Sequence, residues 1–291
     1  MGHAGTIRGA SSPLGLMLYT RQKLLLALLD TQEDRISGTD FHNLLFLYTR
    51  EFEQVPSYDF VSCEEGRFSF TVRADAGHLL TRGLLLREGA EWMLARTGRE
   101  VARSVPGLAH KTAYFNECYR DLRGVELAAK VCVAHDDNPR GRRIVAPGLW
   151  TIGYEGKSLE HYLNQLLRAG VTLLCDVRRN AFSRKYGFSK STLKAACECM
   201  GIRYEHLPQL GIASERRREL SGVRDHELLF ADYVRRDLPQ QQELMARIVH
   251  WIRDEAQRVA LTCFESDAGH CHRHCVADAL TQQSGFKPVH L

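Results

Sequence analysis

Residues 171–189 read VTLLCDVRRNAFSRKYGFS. The first seven, VTLLCDV, are apolar almost without interruption until Asp176. A half-exposed strand alternates polar and apolar positions; a strand covered on both faces does not. The stretch therefore predicts a strand inside a parallel sheet, with helices on either side. Arg178, Arg179, Arg184 and Lys185 crowd the segment that leaves it, so cations collect at the strand's carboxyl end.

The flanking sequence repeats that unit. LWTIGYE (149–155) predicts a strand ending at Gly153, and SLEHYLNQLLRAG (158–170) a helix capped by Ser158 and stopped by Gly170. SKSTLKAACECMG predicts a helix from a Ser189 cap to Gly201, and IRYEHLP the next strand. Two amphipathic helices fill about 225–255. RVALTCFE predicts another buried strand, CHRHCVADALTQQSG the helix after it, and FKPVHL a last short strand. Alternating βα units imply a Rossmann-like α/β domain over 148–291, built on a mainly parallel sheet. Ligands in such sheets sit beyond the carboxyl ends of the strands. That rule gathers Tyr154, Asp176, Arg178, Arg179, Arg184, Lys185, Tyr204, His206, Cys263, Glu265, His272 and Arg273 at one edge.

The first half differs. TRQKLLLALLD and SGTDFHNLLFLYTREF carry helical apolar stripes, the second with Ser37 or Thr39 placed as a cap. SFTVRADAGHLLTRGLLLREGAEWML predicts a third helix ending near Gly83 and then a short strand. Three helices followed by a β-wing is winged helix-turn-helix order, so residues 16–133 are expected to form a mostly α, winged-helix-like domain. The alternative is a helical accessory or dimerisation domain. Residues 1–15 read as a disordered leader. The stretch 134–147, rich in Pro, Gly and charge, reads as a linker.

Composition bounds the rest. The 291 residues allow two domains, and 44% hydrophobic with 25% charged residues is ordinary globular chemistry. No apolar run is long enough for a membrane span, and the N-terminus lacks the apolar core of a signal peptide. Nine cysteines, an odd number, without an export signal suggest reduced thiols and a cytoplasmic setting. The net charge of +4 is too mild to argue for nucleic acid by itself.

The motifs TIGYEG, DVRRNAFSRKYGFS, GIRYEHLPQLG and CFESDAGHCHR, spread over residues 148 to about 284, resemble the family called domain of unknown function 488. The resemblance implies a Rossmann-like fold with one cleft formed by Asp176, Arg178, Ser183, Arg184, His206, Glu265, Cys271, His272 and Arg273. Two features depart from the family pattern. Asn180-Ala181 stands where many members have a small residue and Pro, and HRHC adds a His and a Cys after the signature. In the first half, FHNLLFLYTRE, YDFVSCEEGRFSF and LLTRGLL together resemble a winged-helix-like region found in some phage-defence and toxin–antitoxin-associated proteins.

The run CFESDAGHCHRHC (263–275) poses a choice between metal, nucleophile and anion site. His270 and His274 could share a helix face, as could Cys271 and Cys275. Structural zinc asks for two spaced ligand pairs, and Cys197–Cys199 falls in another helix. The spacing therefore predicts no metal and no cofactor. A nucleophilic cysteine is the minor alternative, because a helix N-terminus lowers a thiol pKa. The main expectation is that His272 and Arg273 face an anionic ligand while Cys271 packs or hydrogen-bonds beside it.

Cations, two carboxylates, a histidine and aromatic rings suit a nucleotide or a DNA strand. No P-loop, GxGxxG or HExxH motif appears. The sequence is therefore read as a DNA-binding, DNA glycosylase-like hydrolase in antiviral defence. Asp176, Glu265 and His272 would be catalytic. Tyr154, Arg178, Arg179, Ser183, Arg184, Lys185, Tyr204, His206, Cys271 and Arg273 would bind DNA, a nucleotide or a modified base. Asp176→Asn and Glu265→Gln should then abolish activity while sparing the fold. The competing readings are a nuclease and a non-enzymatic regulator that senses a nucleotide.

Overall fold

The computed structural model describes residues 17–32, 35–133, 146–217 and 223–291. The expected leader and nearly all of the expected linker lie outside them. The chain forms two compact units, Met1–Asp137 and Asn138–Leu291. Among the described residues no helix is long and apolar enough to cross a membrane.

The first unit is mostly helical, in the order α1 (Thr20–Asp30), β1 (Ile36–Ser37), α2 (Gly38–Glu51), β2 (Val61–Cys63), β3 (Gly66–Phe68), α3 (Phe70–Thr81), β4 (Leu85–Glu88), β5 (Glu91–Leu94), α4 (Arg96–Arg103), α5 (Pro106–Tyr119) and α6 (Gly124–Val133). Of the two cap candidates, Ser37 caps α2, its hydroxyl accepting from Asp40 N–H at 3.0 Å. Ser69 caps α3 in the same way. β4 and β5 form an antiparallel hairpin, and β1 adds to β5 to make a small sheet. A second hairpin, β2–β3, lies between α2 and α3. It separates those helices by far more than a tight turn. Asn43 fastens this hairpin to α2, donating to Glu65 C=O and accepting from Arg67 N–H.

His42 sits in the core of this unit, 3% exposed. Its Nδ1 accepts from Ser69 N–H at 3.0 Å, and its ring stacks on Phe68. Burial, helped by the charge of Arg73, pushes its pKa down from 6.5 to about 3. The folded unit holds His42 neutral, whereas the unfolded chain takes up a proton below 6.5. Stability should therefore be full above that pH, decline as the pH falls, and level off near 3. By pH 5 the loss should be roughly 2 kcal/mol. Melting curves between pH 7 and 4 should show it, and His42→Asn should flatten the slope. An equal slope in the variant would assign the effect to other groups.

The second unit is α/β: β6 (Gly148–Gly153), α7 (Leu159–Arg168), β7 (Leu173–Asp176), α8 (Lys190–Cys199), β8 (Arg203–His206), α9 (Val223–Asp232), α10 (Gln242–Arg253), β9 (Arg258–Cys263), α11 (Arg273–Ser284) and β10 (Pro288–His290). Its five strands are all parallel, in the order β10-β6-β9-β7-β8. Ser158 caps α7 through His161 N–H, and Gly285, with φ +79°, ends α11. Ser189 stands at the N-cap of α8 but makes no side-chain cap bond. Its hydroxyl instead donates to Ser183 C=O and accepts from Ser183 N–H.

The register assigns the faces. Asp176 aligns with Thr262 and Cys175 with Leu261. Leu173, Cys175, Val259 and Leu261 pack against α9, α10 and α11 in one core. Thr262 points the other way, toward α7, where Tyr162 donates to its hydroxyl at 2.8 Å. The sheet is thus covered on both sides, as the apolar strands required.

Candidate functional site

The carboxyl ends of the strands do bring the marked residues to one edge, but not into one cleft. Asp176 shares the face of Thr262, while Cys263, the next residue along β9, points toward α11. Glu265 lies with Cys263, its Oε2 3.4 Å from the sulfur. The two carboxylates therefore belong to opposite faces. The single cleft expected from the strand-end rule divides in two, because alternation along a strand overrides proximity at its end.

On the first face, Asp176 is fully buried and heavily used. It accepts from Arg178 Nε at 2.8 Å, Arg178 Nη2 at 2.6 Å, Arg178 N–H at 3.1 Å and Tyr204 Oη at 2.6 Å. Arg178 Nη1 donates to Tyr154 Oη and to Phe188 C=O. Tyr154 stacks on Phe188 with ring centroids 4.4 Å apart. Burial pushes the Tyr204 hydroxyl up, and the Asp176 charge adds to it. Asp176, Arg178, Tyr154 and Tyr204 thus form a closed internal network that ties the loop after β7 to β6 and β8.

That loop carries the accessible groups. Arg179 and Arg184 are exposed, as are the rings of Phe182 and Tyr186. Lys185 Nζ donates to Tyr154 C=O at 3.1 Å, and Ser183 Oγ accepts from Lys185 N–H. His206 Nε2 lies 2.9 Å from Arg178 C=O, to which it donates. A shallow pocket is lined by Arg179, Asn180, Phe182, His206 and the first turns of α8, including Lys190, Ser191 and Lys194. The sequence reading passed over the two α8 lysines. Lys190 stands in the first turn, where a cation opposes the helix dipole, whereas Lys194 pairs with Glu198 one turn on. Gly211 is needed beneath this pocket, since a Cβ there would come within 2.1 Å of Arg179 N.

On the second face, β9 delivers Cys263 and the turn before α11 delivers Cys271 and His272, all buried. Cys263 Sγ lies 3.7 Å and Cys271 Sγ 3.9 Å from His272 Nδ1. His272 Nε2 donates to Val177 C=O at 3.0 Å. Burial raises the Cys271 thiol, but the hydrogen bond from Cys263 and the nearby charge of Arg273 outweigh it and hold the thiol well below its usual value. Cys263, hydrogen-bonded to Cys271 and buried beside Glu265, is pushed well up. Burial and the Cys271 charge push the Glu265 carboxyl up. Arg273 is held inside the fold. Its guanidinium donates to the carbonyls of Glu265 and Ser266 and is 1% exposed, so it shapes the 264–270 loop. Gly153 lets that loop pass: a Cβ there would stand 1.7 Å from Glu265 C=O. His270 and His274 do not join the cluster; His270 pairs with Asp267 and His274 with backbone carbonyls.

The two faces meet at Tyr154. Its carbonyl holds Lys185, and its ring takes the edge of Phe264, the neighbour of Glu265.

Residues 158–280, from α7 into α11, match the family model described as Domain of unknown function DUF488. No curated protein and no solved structure matches the chain.

Proposed function

We propose that the protein is a DNA-acting hydrolase that excises a modified or foreign base, as a phage-defence enzyme would. The observation that carries this reading is the make-up of the sheet's carboxyl edge. Exposed cations (Arg179, Arg184, Lys190 and Lys194) and exposed rings (Phe182 and Tyr186) stand on and after the β7 loop. Across Tyr154 from them lies Glu265, half-buried but open to solvent. Phosphates suit the cations, and an extruded base suits a ring face. As the bond between sugar C1′ and the base nitrogen breaks, the Glu265 carboxylate offsets the positive charge on the sugar. Water then adds to C1′, and the base leaves carrying a proton. Asp176 is a positioning residue in this scheme, because its oxygens already serve Arg178 and Tyr204.

The first unit is read as a winged helix. Helices α1, α2 and α3 and the β1–β5–β4 sheet support this, with α3 presenting exposed Arg73 and His78. Arg73→Ala should weaken binding to duplex DNA and lower the slope of log affinity against log salt by about one. No change in either would make this unit an interaction module.

The deciding experiment incubates the protein with plain and phage-derived modified DNA and looks for released base by mass spectrometry and for alkali-labile sites. Release from modified DNA is expected. A second reading, a nucleotide-sensing regulator without catalysis, draws support from how completely Asp176, Arg178, Tyr204 and Arg273 are satisfied inside the fold. Nucleotide binding by calorimetry with no base release from any DNA would favour it.

A further inference from the structure

The cluster at the end of β9 has the makings of a metal site. Sγ of Cys263, Sγ of Cys271 and Nδ1 of His272 all lie within 4.8 Å of one another. A tetrahedral zinc with Zn–S near 2.3 Å and Zn–N near 2.0–2.1 Å sets its sulfur–nitrogen edges at roughly 3.6 Å. The two sulfur–nitrogen separations here are 3.7 and 3.9 Å. Glu265 Oε2 lies 3.4 Å from Cys263 Sγ but is not among the three mutually close ligand atoms.

The histidine is also preset. Because Nε2 donates to Val177 C=O, Nδ1 is left to turn a lone pair toward the two sulfurs. Metal-ligating histidines are held in this way, by a backbone carbonyl on the distal nitrogen. Both cysteines and the histidine are at most 2% exposed, which favours a tightly held ion over one traded with solvent. Two thiols and an imidazole suit zinc far better than magnesium, calcium or manganese.

We propose that Cys263, Cys271 and His272 bind a zinc ion. The pattern escapes a search for two spaced ligand pairs. One ligand ends a strand, and the other two open the next helix; the fold joins them. The site rests on its own geometry and stands whether or not the protein excises bases.

The test uses the full chain without a polyhistidine tag, purified without chelator. Elemental analysis should find stoichiometric zinc, and Cys271→Ser and His272→Gln should lose it. Cys275→Ser, a change at a buried cysteine on the same helix but outside the cluster, should keep it. Replacing zinc by cobalt should give a thiolate-to-cobalt charge-transfer band that weakens in Cys271→Ser. If the ligand variants do not fold, the cobalt spectrum of the unaltered protein decides alone. Two results would overturn the proposal: no zinc retained after incubation with excess zinc and desalting, or an intact mass showing Cys263 and Cys271 joined as a disulfide in freshly isolated protein. Loss of metal with base release unimpaired would leave the zinc site standing and separate it from the catalytic reading.

Discussion

Asp176→Asn should destabilise the C-terminal unit by roughly 3–5 kcal/mol, the range expected when one partner of a buried ion pair is removed. Asp176 and Arg178 have side chains 0% and 5% exposed. The Asp176 carboxylate accepts four hydrogen bonds, three of them from Arg178. An amide in its place has one accepting oxygen. Its NH₂ would face Arg178 or Tyr204, which are donors themselves. The Arg178 guanidinium would then be buried without a counter-charge. For a unit of about this size, that loss should lower the melting temperature by roughly 10 °C or more. The double change Asp176→Leu with Arg178→Met should recover part of it, since apolar replacement of a whole buried pair is often near neutral. The sequence alone suggested the opposite, an inactive but intact Asn variant. An unchanged melting temperature with activity lost would restore Asp176 to the chemistry.

That difference marks how far the sequence reaches. The strands were legible because VTLLCDV and RVALTC are apolar on both faces, which only a covered parallel strand tolerates. Helix limits at Ser158 and Gly170 followed from capping chemistry. The convergence at one edge followed from βα alternation. The face of each side chain did not follow. It depends on register: Asp176 aligns with Thr262 and not with Cys263, and a shift of one residue would have put both carboxylates together. The internal partners of Arg273 were out of reach for a related reason. An arginine at a helix start reads as an anion site, yet its guanidinium is consumed by two loop carbonyls that exist only once the 264–270 loop is folded.

Glu265→Gln should lower base release by about 10²–10³-fold, the effect of removing one preorganised charge-stabilising group, while leaving DNA affinity nearly unchanged. The swap keeps shape, and Glu265 is partly exposed, so no buried charge is stranded. The backbone of the residue is held independently of its carboxylate, because Arg273 donates to its carbonyl and Gly153 leaves room for it. Folding should therefore survive, and the melting temperature should stay close to that of the unaltered protein. Three protein ligands remain for zinc, so metal content should persist and loss of activity could not be blamed on loss of the ion. Arg184→Ala should show the reverse pattern. Its exposed guanidinium would contact a phosphate present before and after reaction, so affinity and salt dependence should fall while the rate at saturating DNA holds. The two variants measured side by side, for released base, DNA affinity, zinc and melting, separate chemistry from binding. Full base release by Glu265→Gln would move the chemistry away from this carboxylate.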